Sequence, residues 1–400
     1  MSNGSNFSRR AALKYGAGIG VTFLAAPALA ALPEGRRKLV VIICRGAMDG
    51  LSVSPPVADP NYAALRGAIA IPPDAVLKLD GDFSLHPKLA AIHALALSGE
   101  ARIAPAVAIP QRIRSHFEAQ DLLESGGEQL YGITTGWLNR ALSVQARGAN
   151  ISALAVGTQE PLILRGPVEI QSWSPGGKVT QDMQRISSVL TDLYASDPTL
   201  SRAFASGMET EAMAENMGGD QMTKVAAQPA KAAHDYAVTT AKFLTQAGGP
   251  SIAVISLDGY DTHANQGAAN GQLANHLKNL DDVVDGLHEG LGSAWSDTVV
   301  IAVTEFGRTA RINGTGGTDH GTASTMILAG GALKRGGIVG DWPTLADASL
   351  FDNRDLAPTL DVRQVFKGVL RDHMGLEARA LDGSVFPDSG NARALDGLIA

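Results

Sequence analysis

Cysteine is almost missing from this chain. Cys44 is the only one in 400 residues, so no intrachain disulfide can form. Stability has to come from a buried core and, where suitable donors exist, from bound metal. Positive charge is also in short supply. Residues 1–30 carry Arg9, Arg10 and Lys14 and no acid, and the remainder has 30 basic against 40 acidic side chains, a formal charge of −10. That balance excludes nucleic acid as a partner. Internal repeats, coiled-coil heptads and a second membrane-spanning run are all absent from the sequence.

What is present begins with a signal. "SRRAALK" precedes "YGAGIGVTFLAAPALA", a glycine-rich apolar stretch too short for a membrane span, ending in a small-x-small site at Ala28-Leu29-Ala30. With the Arg9-Arg10 pair this reads as a twin-arginine signal, cleaved after Ala30 by the export route it addresses. The expected destination is the periplasm or the exterior, with no stable membrane span after cleavage. Folded export suits proteins that acquire a metal or cofactor before crossing.

The rest, residues 31–400, reads as one domain. At 45% hydrophobic and 18% charged residues the chain has material for a large core. Apolar runs at 38–44, 101–109, 151–157, 251–259, 298–306 and 324–331 have the length and composition of buried strands. Amphipathic helical patterns such as "HPKLAAIHALALSG", "SHFEAQDLLESG" and "GQLANHLKNLDDVVDGLHEGLGSAW" lie between several of them. The alternation predicts an α/β fold: a mostly parallel central sheet with helices on both faces. A mainly helical insertion at about 179–247, with an acidic, Met-rich segment at 207–222, divides the sheet-forming sequence.

In such sheets ligands bind beyond the carboxyl ends of the strands, so the loops that follow each strand matter most. After the first strand, "RGAMDGLS" places Asp49 in a Gly-flanked turn, where it is either a turn residue or a ligand. "RIRSHFEAQD" puts Ser115 where a helix begins, with Glu118 three residues on, as in a capping box. A serine there, beside Arg112, Arg114 and His116, is also how a nucleophile or anion site is built. "LDGYDTHANQ" gathers Asp258, Asp261 and His263, and a carboxylate and an imidazole two apart can reach one zinc or manganese ion. Glu305 ends a strand and Asp319-His320 precede the next in "TEFGRTARINGTGGTDHG". Together these positions suit a two-metal hydrolytic site, whose glycines let backbone come close.

"RGAMDGLS", "RSHFEAQD", "GWLNRAL", "YDTHANQ", "TEFGRTARINGTGGTDHG" and "LDVRQVF" resemble, in that order, the motifs of the exported family called domain of unknown function 1501 (DUF1501). That family resembles the alkaline phosphatase/sulfatase superfamily. The resemblance implies an alkaline-phosphatase-like fold with one or two divalent ions, among which zinc, manganese, magnesium and calcium are not distinguished. It implies metal ligation by Asp49, Asp261, His263, Glu305 and His320, with Asp258 a rival to Asp261. Ser115 is implied as the nucleophile, and Arg308 and His116 are read as substrate-binding. Phe306 departs from the pattern, because the superfamily has a histidine ligand there. Cys44 is followed by "RGAM", which lacks the modified-cysteine signature of sulfatases.

The expected function is hydrolysis of a phosphate or sulfate ester, on a small molecule or a polymer. Two alternatives stand beside it. One is a non-catalytic protein that uses the scaffold to bind metal, polymer or a partner, and the other is a hydrolase in which His116 or bound water attacks.

Overall fold

The computed structural model describes residues 37–79, 81, 83–145, 152–157, 159–174 and 229–400. The chain divides into Met1–Pro33 and Glu34–Ala400, and the described residues lie in the second unit. The expected signal at 1–30 and the Met-rich segment at 207–222 lie outside the described residues. Of the expected insertion, the described part is chiefly the helix Pro229–Thr245.

Ten strands are described: β1 Lys38–Cys44, β2 Leu77–Lys78, β3 Ser84–Leu85, β4 Ala101–Ala108, β5 Ala153–Val156, β6 Gln171–Trp173, β7 Ile252–Leu257, β8 Thr298–Val303, β9 Ser324–Ala329 and β10 Leu360–Asp361. Eight form one sheet in the order β10-β4-β9-β8-β1-β7-β5-β6, and β2 pairs with β3 in a small ribbon. Every pairing in the large sheet is parallel except those of β9, which runs antiparallel to both β4 and β8. The sheet is thus mostly parallel, as the alternation of elements predicts. Pro105 cannot donate to a ladder, and the β4–β9 register shifts between Ala104 and Val107, on either side of it.

β1 is buried along its whole length, and alternate residues face opposite layers. Leu39, Val41 and Ile43 join one cluster with Leu122, Trp137, Val365 and Phe366. Val40, Ile42 and Cys44 join the other with Leu273, Leu277, Val284 and Leu287. Helices therefore cover both faces: His116–Ser125, Trp137–Gln145 and Val362–Asp372 on the first, Gln272–Leu291 and Pro229–Thr245 on the second. The helical spacing of Leu273, Leu277, Leu280, Val284 and Leu287 is what commits Gln272–Leu291 to that face.

The reversed β9 has a functional consequence. Its amino end lies beside the carboxyl ends of β8 and β4, so the loop from Thr304 to Ala323 leaves and re-enters the sheet at the same end of the strands. Among the described residues no helix is long and apolar enough to cross a membrane.

Candidate metal centre

Three segments at that end, after β4, after β7 and between β8 and β9, bring three imidazoles and a carboxylate together. The Nε2 atoms of His116 and His263 stand 3.0 Å and 2.9 Å from Nε2 of His320. Asp261 Oδ1 lies 3.3 Å from His320 Nε2 and 3.1 Å from His263 Nε2, and Asp261 Oδ2 lies 3.5 Å from His116 Nε2. His116, Asp261 and His320 each turn one ligand-type atom into a space 4.8 Å across or less. Asp258 is exposed and makes no contact with this cluster among the described residues, so of the two rival carboxylates the geometry brings in Asp261.

The outward-facing nitrogens explain the orientation. His320 Nδ1 donates to the Arg114 carbonyl at 2.8 Å, which leaves Nε2 as a lone pair aimed inward. His116 Nδ1 donates to Glu305 Oε1 at 2.7 Å. His263 Nδ1 faces Asp319 Oδ1 at 3.5 Å. An imidazole whose outer N–H is held by a carboxylate or carbonyl is the usual arrangement of a metal-ligating histidine.

Charge in the cluster follows from these contacts. The hydrogen bond to Glu305 holds the His116 imidazole above its ordinary pKa, outweighing burial. Burial, with the neighbouring positive charges of His116 and Arg308, pushes His320 down against the Arg114 carbonyl. Asp261 is partly desolvated, yet Arg308 and the histidines hold its carboxyl below the usual range. Glu305 is buried as well, but His116, backbone N–H groups and Gln120 keep it below its ordinary value. These contacts together favour positive charge at this point.

His116, Asp261 and His320 have the mutual spacing that one divalent ion needs, and His263 adjoins them through His320 and Asp261. Donors about 2.0–2.1 Å from a tetrahedral ion stand about 3.3 Å apart, close to the 3.0–3.5 Å that separate the ligand atoms of His116, Asp261 and His320. Three imidazoles favour zinc or another borderline transition metal over magnesium or calcium, which prefer oxygen.

The remaining expected site residues have other surroundings. Ser115 takes the N-cap position of the helix His116–Ser125 in extended backbone (φ −108°, ψ 124°), and its side chain makes no capping bond. The capping box expected with Glu118 does not form. One forms instead at Asp361 and Gln364, ahead of Val362–Asp372. Ser115 is half-buried and adjoins His116 in the chain, so its hydroxyl is not spent on the helix.

Glu305 stands behind His116 and outside the donor cluster. It is fully buried, and it accepts from Gly46 N at 2.9 Å, Gln120 Nε2 at 3.2 Å and Thr304 Oγ1 at 2.9 Å besides His116. Glu305, implied as a metal ligand, is instead separated from His320 by His116, which contacts both. Phe306 is buried and packs against both imidazoles, with ring centroids 5.0 Å from His116 and 5.1 Å from His320. Where the resemblance implies a ligand, the protein has an apolar floor.

Arg308, expected at the substrate, lies beneath the site with 1% exposure. Its donors go to the carbonyls of Ala47 (2.9 Å) and Thr318 (3.1 Å) and to Asp261 Oδ1 (2.5 Å), and its Nη1 also lies 3.5 Å from His263 Nε2. It braces three loops and fixes the Asp261 carboxylate, a role for which its planar fork is suited. Asp49 is buried in an ion pair with Arg66 and accepts from Ser52 and Gln266, away from the imidazoles.

Two glycines make the convergence possible. Gly46 has φ +111°, and a Cβ there would stand 2.5 Å from Asp261 N. Gly317 lies so close to His263 that a Cβ would come within 2.4 Å of its backbone.

Four contributors escaped the sequence reading: His116 as a donor in the cluster, Phe306 as its floor, and Arg66 and Gln266 as partners of Asp49. Only His116 carried a signal, as the residue directly after a helix-starting serine.

Comparison with curated proteins gives no match. Among solved structures, the chain is similar to the C-terminal periplasmic domain of EcEptC from Escherichia coli in complex with zinc (12% identity, 92% of each chain covered, TM-score 0.39). It is also similar to a phosphonate monoester hydrolase of Agrobacterium radiobacter (8% identity, 85% of this chain and 74% of that one, TM-score 0.39). A third likeness is the soluble domain of lipooligosaccharide phosphoethanolamine transferase A from Neisseria meningitidis (11% identity, 75% and 81% covered, TM-score 0.33). These scores are low, and the side chains above carry the chemistry instead. Over residues 82–385, which include all three imidazoles, Asp261 and Glu305, the sequence matches the family described as protein of unknown function (DUF1501), and the chain belongs to that family.

Proposed function

We propose that this protein is an exported, metal-dependent hydrolase of a phosphate or sulfate ester, delivered to the periplasm or exterior by the signal at residues 1–30. The observation that carries the reading is the convergence of His116, Asp261 and His320, 3.0–3.5 Å apart, with His263 against His320 and Asp261, at the carboxyl ends of the parallel strands. These four side chains would hold the ion, with Glu305, the Arg114 carbonyl and Asp319 orienting the rings. A bound ion supplies positive charge that polarises an ester oxygen and makes a nearby hydroxyl more acidic.

The chain's own residues supply the rest. Ser115 presents its hydroxyl at the amino terminus of a ten-residue helix, where backbone N–H groups and the helix dipole favour negative charge. That is the place for a nucleophile attacking an anionic ester. Arg308 keeps Asp261 ionised and aligned instead of binding the anion itself.

One observation favours a second reading, a non-catalytic metal-binding protein. Arg308 is fully committed and Arg66 is paired with Asp49, so neither guanidinium is open as an anion clamp. The deciding experiment is a panel of phosphate monoesters, phosphate diesters and sulfate esters, offered to zinc- and manganese-loaded protein before and after chelation. The hydrolase reading requires turnover that disappears on chelation, returns with metal and falls at least about a hundredfold in Ser115→Ala. Metal binding without turnover across the panel would leave the binding reading. Turnover undiminished in Ser115→Ala would move the attack to His116 or bound water.

A further inference from the structure

Asp49 and Glu305 are the carboxylates a second ion would need, and protein donors already hold both. Glu305 accepts from four groups, Gly46 N, His116 Nδ1, Gln120 Nε2 and Thr304 Oγ1. Asp49, 1% exposed, accepts at Oδ2 from Arg66, from Ser52 Oγ at 2.8 Å and from Gln266 Nε2 at 2.7 Å. Its Oδ1 has no partner among the described residues, but one oxygen beside a guanidinium is a poor ligand for a divalent cation. None of the contacts of Asp49 among the described residues is with an imidazole.

Arg66 is as deeply placed as its partner. It is 0% exposed, and besides Asp49 it donates to Ser52 Oγ at 3.0 Å and to the Thr309 carbonyl at 3.3 Å. A buried carboxylate requires a countercharge, and here a side chain of the protein supplies it. We infer that the Arg66 guanidinium takes the place of a second divalent ion at Asp49, so that the centre is mononuclear. This rests on the metal-dependent reading of the neighbouring cluster.

The pair also governs that cluster. Gln266, fixed by Asp49, accepts from Thr262 Oγ1 at 2.9 Å and from Thr318 Oγ1 at 2.8 Å. Thr262 lies between Asp261 and His263, and Thr318 lies two residues before His320. Arg66 and Asp49 are thus positioning residues for the loops that carry three of the four donors.

The test measures zinc per chain by elemental analysis, after loading and desalting, together with the thermal midpoint with and without zinc. Wild type is expected to hold one zinc, and Asp49→Asn is expected to hold one as well. In Arg66→Ala the exposed countercharge deficit at Asp49 should draw a second zinc that raises the midpoint, and Asp49→Asn/Arg66→Ala should lose that second increment. Two zinc ions in wild type, falling to one in Asp49→Asn, would overturn the inference, as would an Arg66→Ala protein that folds and stays at one. The wild-type and Asp49→Asn comparison decides the matter even if Arg66→Ala does not fold. No zinc in wild type would overturn the metal-dependent reading itself.

Discussion

His116 and Glu305 meet at 2.7 Å, imidazole Nδ1 to carboxylate Oε1, with the carboxylate wholly shut off from solvent. That contact fixes which nitrogen of His116 points into the cluster and keeps the ring electron-rich. Glu305→Gln preserves the shape and removes the charge. Its zinc affinity, read by competition with a chromogenic chelator, should fall by about tenfold to a hundredfold with the stoichiometry unchanged. Equal affinity in the two proteins would detach Glu305 from the centre.

Metal binding should be visible as stability. An ion that binds only the folded chain, at a hundred times its Kd, adds about 2.7 kcal/mol. Calorimetry should show that gain in wild type and its loss in His320→Ala and Asp261→Ala, whose donors meet at 3.3 Å. A gain of the same size in either variant would place the ion elsewhere.

Phe306 is the residue whose meaning changes most between sequence and structure. As a letter in "TEFGRT" it is a missing ligand, whereas in the fold it is 2% exposed and in contact with two of the imidazoles. Phe306→Ala should cost about 3–5 kcal/mol through the cavity it leaves and should also weaken metal binding. Phe306→Leu should recover most of the stability. Chemical denaturation measures both, and a loss under about 1 kcal/mol in the alanine variant would contradict the packing role.

The strands were legible because buried apolar runs bounded by glycine have few other uses, and β1, β4, β7, β8 and β9 all lie within the expected segments. The direction of β9 was not, since an apolar run reads alike in either sense. Asp261, His263 and His320 could be singled out because imidazole and carboxylate in a glycine loop suggest chemistry before any contact is known. Arg66 could not: in "YAALRG" it reads as an exposed helix arginine, and its burial depends on Thr309, Ala310 and Asp49 arriving from distant segments. Glu305 was legible as a site residue, but the side chain between it and the donors, His116, becomes known only from the fold.

Acid should act on the fold through a group far from the cluster in sequence. His373 is 2% exposed, and its Nε2 donates to the Lys38 carbonyl at 2.9 Å. Burial pushes its pKa from 6.5 down to about 4, against that hydrogen bond. The neutral ring is the form the fold prefers, so its contribution is complete above pH 6.5 and is lost as pH falls through about 4. The gap corresponds to about 3 kcal/mol. In chelated protein, wild type should lose about that much more stability than His373→Gln between neutral and acid pH, as read by denaturant titration. Parallel pH curves would contradict this.

The central claim is that one ion sits among three imidazoles and one carboxylate. Anomalous diffraction at the zinc edge, from crystals of zinc-loaded protein, tests it most directly. The account predicts a single strong peak in contact with His116, Asp261, His263 and His320 and none beside Asp49. A peak held by Asp49, or no peak at the histidines, would contradict it.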